Sequence, residues 1–150
     1  MKWKLFKDEF DIKDFHGFCY LIINKQTGQK YIGKKSFWSV RRVKVKDRKN
    51  RKIIRKESDW KTYTGSSRWL NEDIDQYGID NFEFIMLSMH ESKAALSYRE
   101  IELQIKLDVL RAKLDDGSPM YYNRQILGSI KFIPPDATPK ELKYRNHFYI

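Results

Sequence analysis

Two rhythms of hydrophobic and polar positions divide the chain into elements. Residues 17–35 hold the runs "GFCYLIIN" and "QKYIGKK" around "KQTG", a pattern of β-branched and aromatic residues about a turn that predicts a hairpin. Side chains on strands alternate with period two, so an even-length loop puts Tyr20 and Tyr31 on one face. In residues 39–60, Val43 and Val45, then Ile53 and Ile54, flank the polar tip "KDRKNRK", which predicts an ordered basic ribbon or loop. "GSSRWLNEDIDQYG" has helical spacing at Leu70, Ile74 and Tyr77, with Ser66 or Ser67 as cap and Gly78 as stop. "NFEFIMLSM" is a strand with Phe82, Phe84 and Met86 on one face and Ile85 and Leu87 on the other.

The longest predicted helix runs from about Ser92 to Leu114. Leu96, Leu103, Leu107, Leu110 and Leu114 make one apolar stripe, and Tyr98, Ile101, Ile105 and Val109 a second. Glu100 falls within the leucine stripe, where a carboxylate is costly unless something pairs with it. Glu102 falls beside the stripe, in a solvated position. Beyond "YYN", the three prolines and scattered aromatics of "GSIKFIPPDATPKELKYRNHFYI" predict an extended tail packed on the domain.

Composition then narrows the partner. The 150 residues suit one α+β domain, and a formal net charge of +10 asks for an acidic partner: nucleic acid first, an anionic membrane surface second. Ten cations between Arg41 and Lys56, against Asp47, Glu57 and Asp59, concentrate the excess in residues 39–60. The candidate DNA contacts there are Arg42, Lys44, Lys46, Arg48, Lys49, Arg51, Lys52, Arg55 and Lys56. Cys19 is the single cysteine, which excludes a disulfide framework and fits a reducing cytoplasm. The three histidines are too far apart for a local ligand pair, and no run approaches the length of a membrane span.

Tyr20, then Tyr31-Ile32-Gly33, Arg41, Glu100 and Asn123, follow one another in the order of elements of the GIY-YIG nucleases. The chain resembles that family, and within it the phage homing endonucleases of the Seg type, over residues 17–124. "KYIGKKSFW", "KESDW", "GSS" and "YYN" carry the likeness as well. The resemblance implies a nuclease domain over 1–124, with the basic insert at about 39–60 and a tail at 125–150, built on a small antiparallel sheet flanked by helices. It implies catalytic roles for Tyr20, Tyr31, Lys34, Arg41 (with Arg42 as the adjacent candidate), Glu100 and Asn123. Two positions depart from the pattern. Phe18 stands where the first half-motif has its glycine, with Gly17 one place earlier, and Val45 stands where many members have His or Tyr.

Phosphodiester hydrolysis needs a nucleophilic water, a route for its proton and neutralisation of phosphoryl charge. In the implied scheme Glu100 ligates one divalent cation, Mg²⁺ or Mn²⁺, and Arg41 meets phosphate oxygens. Tyr20 or Tyr31 orients or deprotonates the water, a base role that requires Lys34, Lys35 and Arg41 to lower the phenol pKa. Asn123 fixes the glutamate side or contacts the backbone. Trp60 and Tyr63 either stack on bases or anchor the insert, with the anchor expected since aromatics usually pack, and Cys19 is expected to fill the core. Against the metal-dependent DNA endonuclease stands a binding protein that keeps the fold without cleavage, with Phe18 and Val45 in its favour. The sequence leaves monomer or homodimer open.

Overall fold

The computed structural model describes residues 2–5 and 9–127. A four-stranded sheet runs in the order β1 (Trp3–Lys4), β6 (Phe82–His90), β2 (Gly17–Asn24), β3 (Lys30–Ser36). The β2–β3 hairpin has the predicted form. Asn24 organises its turn, its Oδ1 accepting the Gln26 N–H at 2.9 Å, and Gly28 takes a φ of 82° that disfavours any side chain. The register sets Tyr20 opposite Gly33 and Ile22 opposite Tyr31, so both tyrosines share a face. The sheet is mixed rather than wholly antiparallel, because β1 joins the edge of β6 in parallel. Trp3 causes this: its ring is buried in the core and its Nε1 donates to the Trp60 carbonyl at 2.8 Å.

Both faces of β2 are covered, which accounts for its almost unbroken apolar run. On one face Phe18, Tyr20 and Ile22 pack with Phe84, Met86, Phe37 and Trp60 beneath Leu70 and Ile74 of α1 (Arg68–Tyr77). Full burial of each such side chain stabilises by about 1.5–3 kcal/mol, and Phe18, wholly buried here, fills the core where the motif has glycine. Ser67, not Ser66, caps α1 by accepting the Leu70 N–H at 3.3 Å, and Gly78 stops it with a φ of 87°. On the other face Cys19 lies under α2 (Lys93–Lys106), its Sγ 3.8 Å from the Leu96 carbonyl.

Helix α2 starts at the expected Ser92 cap but ends at Lys106, eight residues before the predicted Leu114. Asp108 turns to a φ of 53° and the chain reverses. The break brings Val109 back under the sheet, where it packs with Ile32, Tyr121 and Ile126 in a second cluster. A continuing helix would carry it away on the side of Tyr98 and Ile105. Of the expected leucine stripe, Leu96 is buried, Leu103 and Leu110 pack against the second cluster and Leu107 is exposed, and the expected second apolar face is open to solvent at Tyr98 and Ile105.

The basic segment forms a separate two-stranded ribbon, β4 (Trp38–Val43) with β5 (Lys52–Glu57), antiparallel from Trp38 opposite Glu57 to Val43 opposite Lys52. Phe37 and Trp60, both buried in the main core, root it, and Trp60 is thus the anchor expected of it. The tail expected at 125–150 lies outside the described residues from 128 onward.

Candidate active site

A cleft of about 740 Å³ runs along the edge of β3. The start of α1 walls it from one face of the sheet through Ser66, Ser67, Arg68 and Trp69. Glu100 and Gln104 of α2 wall it from the other, and Tyr31, Lys34 and Asn123 line it between them. Leu96, Glu100 and Gln104 are spaced by four, so one helix face carries an apolar anchor at its start and two polar groups toward the cleft.

The two phenols differ in access. Tyr20 is 1% exposed, and its ring crosses the backbone of Gly33 so closely that a Cβ there would lie 2.6 Å from the Tyr20 Cζ. The glycine that follows Tyr31-Ile32 is therefore required by Tyr20, a strand away. Tyr31 is half-buried, with its ring centroid 6.1 Å from that of Tyr20 and its phenol oxygen 3.0 Å from Ser66 Oγ. Tyr63 packs edge-on against Tyr20 at 6.1 Å, so it anchors the site rather than standing free for bases.

Burial pushes the Tyr20 phenol well above its ordinary pKa, and neighbouring Tyr31 and Tyr63 push it further. Tyr31 is also raised by burial, with its Ser66 hydrogen bond in opposition. This reverses the expected lowering by Lys34, Lys35 and Arg41, for a geometric reason. Lys34 Nζ donates to Ser97 Oγ at 2.8 Å and lies 3.7 Å from Glu100 Oε1. Lys35 Nζ is 2.6 Å from Asp59 Oδ1, above the Tyr63 ring. Arg41 sits on the ribbon opposite Ile54, and no hydrogen bond or ion pair joins it to the cleft among the described residues.

Glu100 is the only acid among the described residues lining the cleft. Burial raises its pKa, and Lys34 pulls it back. Glu102, beside it, pairs with Arg99 and Lys106 at the surface, as its position off the stripe predicts. No group of three or more His, Cys, Asp or Glu gathers among the described residues. One carboxylate in an open cleft is a donor set for a hard cation that keeps most of its waters, not for an all-protein cage.

Asn123 contacts the backbone. Residues 120–122 run parallel to the edge of β3, with Lys30 N–H donating to the Met120 carbonyl at 2.9 Å and Tyr122 N–H to the Lys30 carbonyl at 2.7 Å. The Asn123 side chain extends this ladder by one rung. Its Oδ1 accepts the Ile32 N–H at 3.1 Å and its Nδ2 donates to the Ile32 carbonyl at 2.8 Å. Gln104 Nε2 donates to the same carbonyl at 3.2 Å. The residue between Tyr31 and Gly33 is thus held by two amides, one from each side of the chain reversal.

Ser66, Ser97, Gln104 and the Trp69–Arg124 pair, whose guanidinium lies 5.0 Å from the indole ring, belong to the site or support it without having been singled out from sequence. Gln104 carried a usable signal, four residues after Glu100 on one helix face. The nine cations proposed for DNA contact, Arg42 to Lys56, are all exposed on the ribbon and its loop.

Among known proteins, no curated protein and no solved structure matches the chain. A family model described as "Putative endonuclease segE, GIY-YIG domain" matches residues 2–126, nearly all that the structure describes. The match takes in the tyrosine pair on one sheet face, the glycine under Tyr20 and the cleft glutamate, and the chain belongs to the GIY-YIG endonucleases of the Seg type, enzymes that hydrolyse phosphodiester bonds in DNA.

Proposed function

We propose that the chain is a metal-dependent DNA endonuclease, phage-encoded, acting in the host cytoplasm, and homing-endonuclease-like in its chemistry. What carries the reading is the cleft at the edge of β3, where the half-buried carboxylate of Glu100 faces a wall supplied by Tyr31 and the start of α1. Glu100 would hold one Mg²⁺ or Mn²⁺, which supplies charge neutralisation at the phosphate and a more acidic water. The other roles belong to the chain itself.

Tyr31 and Ser66, 3.0 Å apart, offer two hydroxyls that position a water or a phosphate oxygen. Tyr20, buried behind them, keeps Tyr31 in place and does not meet substrate. Lys34, bridging Ser97 and Glu100, sets the carboxylate and adds positive charge where the phosphoryl group gains negative charge. Asn123 holds the strand that carries Tyr31. Arg41, on the ribbon, engages the DNA backbone beside the cleft, and the exposed cations of 42–56 hold the duplex.

The test is plasmid nicking with and without Mg²⁺. Glu100→Ala should abolish nicking and leave the mobility shift of a DNA duplex unchanged, whereas Glu102→Ala should nick as the wild type does. A mobility shift by wild type without nicking at any Mg²⁺ or Mn²⁺ concentration would leave a binding protein instead.

A further inference from the structure

The ribbon has two unlike faces. Its register sets Val40 opposite Arg55 and Arg42 opposite Ile53, and side-chain alternation puts these four on one face as a checkerboard of arginines and aliphatics. Arg41, Lys52 and Lys56 lie on the other face, with Val43 and Ile54, so Arg41 and Arg42 point in opposite directions. On the second face the aliphatics are half-buried. On the first, Val40 is 59% exposed and Ile53 62%, diagonal neighbours that no described residue covers. Val40 and Ile53 together make a small exposed apolar patch framed by Arg42 and Arg55 on an otherwise basic ribbon.

The chemistry of the checkerboard identifies an occupant. A two-stranded ribbon fits the major groove of duplex DNA. Arginine there pairs through its fork with guanine O6 and N7, and aliphatic groups pack on the thymine methyl, whereas lysines favour phosphates. Arg42 has no hydrogen-bond or ion-pair partner among the described residues, so its donors are available. Arg55 is held flat, its guanidinium 4.1 Å above the Trp38 ring at the root of the ribbon. Charge complementarity with DNA is supplied by the whole segment.

We propose that the Val40–Arg42–Ile53–Arg55 face of the ribbon enters the major groove and reads base edges, giving the enzyme a sequence preference, while the Arg41–Lys52–Lys56 face and the loop grip phosphates. The inference deepens the endonuclease reading and rests on it only for the identity of the partner.

Binding measured in chelator, where no cleavage occurs, separates the two. The probe is a pool of 40-base-pair duplexes with a randomised core, selected through rounds of binding by the wild type. A preferred sequence containing G and T should emerge. Val40→Ser/Ile53→Ser should lose affinity for the selected duplex by roughly 5- to 100-fold, the scale of one or two base contacts, and keep its affinity for the unselected pool, which also reports that it folds. Arg42→Ala should relax the preference at a guanine. Lys52→Gln/Lys56→Gln should weaken both duplexes alike. Enrichment of no sequence, a preference that survives both the serine pair and Arg42→Ala, or a preference lost only with the lysines would each overturn the proposal. So would serine variants that change only the oligomeric state, which would assign the face to a second copy of the chain.

Discussion

Replacing Asn123 with alanine should destabilise the protein before it affects any chemistry. The Asn123 amide is 4% exposed and satisfies both backbone groups of Ile32. Without it the Ile32 N–H becomes a buried donor with no acceptor, at about 1–3 kcal/mol. The Ile32 carbonyl keeps Gln104 at 3.2 Å and loses its better donor, at about 0.5–1.5 kcal/mol. The sum is about 2–4 kcal/mol, or a fall in Tm of about 5–15 °C for a domain of this size. Asn123→Asp adds a sign. A carboxylate accepts the N–H and repels the carbonyl, so its folded-state pKa is raised above the unfolded value. The neutral acid can donate, and Asn123→Asp should therefore recover part of its stability as pH falls through that raised pKa. Gln104→Ala should cost about 1 kcal/mol or less, since Asn123 still serves the carbonyl. Urea unfolding followed by circular dichroism measures all three. An Asn123→Ala protein within about 0.5 kcal/mol of wild type but unable to nick DNA would refute the latch and put the amide on the substrate.

Gly33→Ala should cost about 1–3 kcal/mol by overpacking against Tyr20, read as a lower urea midpoint with unchanged slope; an unchanged midpoint would mean that Tyr20 does not lie across the strand. Tyr122 donates to Asp73 Oδ2 at 2.7 Å and accepts from Asn24 Nδ2 at 3.1 Å, and burial pushes its pKa up to about 12. A raised phenol pKa means stability present below pH 10 and lost as pH rises toward 12, so the advantage of wild type over Tyr122→Phe should shrink across that window. Neutralising Lys46, Lys49 and Lys52 together should weaken binding to every duplex and flatten the slope of log affinity against log salt by about 0.9 per lost phosphate contact; parallel titrations would show that these lysines only face solvent.

Most of the fold is legible in the sequence because most of its elements obey one local rule. The hairpin follows from period two and a turn. Helix α1 follows from one stripe and two end signals, and the ribbon from aliphatics on both sides of a polar tip. The end of α2 is not legible, since "KLDVLRAKL" keeps helical spacing to Leu114. What ends the helix is the space beneath β3 that Val109 fills, a demand made by residues far away in the chain. The parallel strand at Trp3 is hidden for a like reason: two residues carry no periodicity, and a single indole seated in the core sets their place. In the site, Glu100 betrays itself as an acid among leucines. Asn123 does not reveal its job, because an amide that completes a strand reads the same in sequence as an amide in a turn. The phenol pKa values follow from burial, with no cation among the described residues directed at either ring, and the direction of Lys34 and Lys35 is settled only by Ser97, Glu100 and Asp59, which claim them first.

The outermost rows of the four-stranded sheet come from opposite ends of the described chain, Trp3–Lys4 on one side and residues 120–123 on the other. The edge of β3 is therefore completed only by residues made late in translation. A nascent chain that has emerged only as far as β6 can pair β1, β2, β3 and β6, yet Ile32 still lacks its amide clasp and the cleft lacks both Glu100 and its floor. These contacts join residues far apart in the chain and wait for its later part to emerge. The tyrosines leave the ribosome early, and the strand that carries Tyr31 gains its outer row only when residues 120–123 follow.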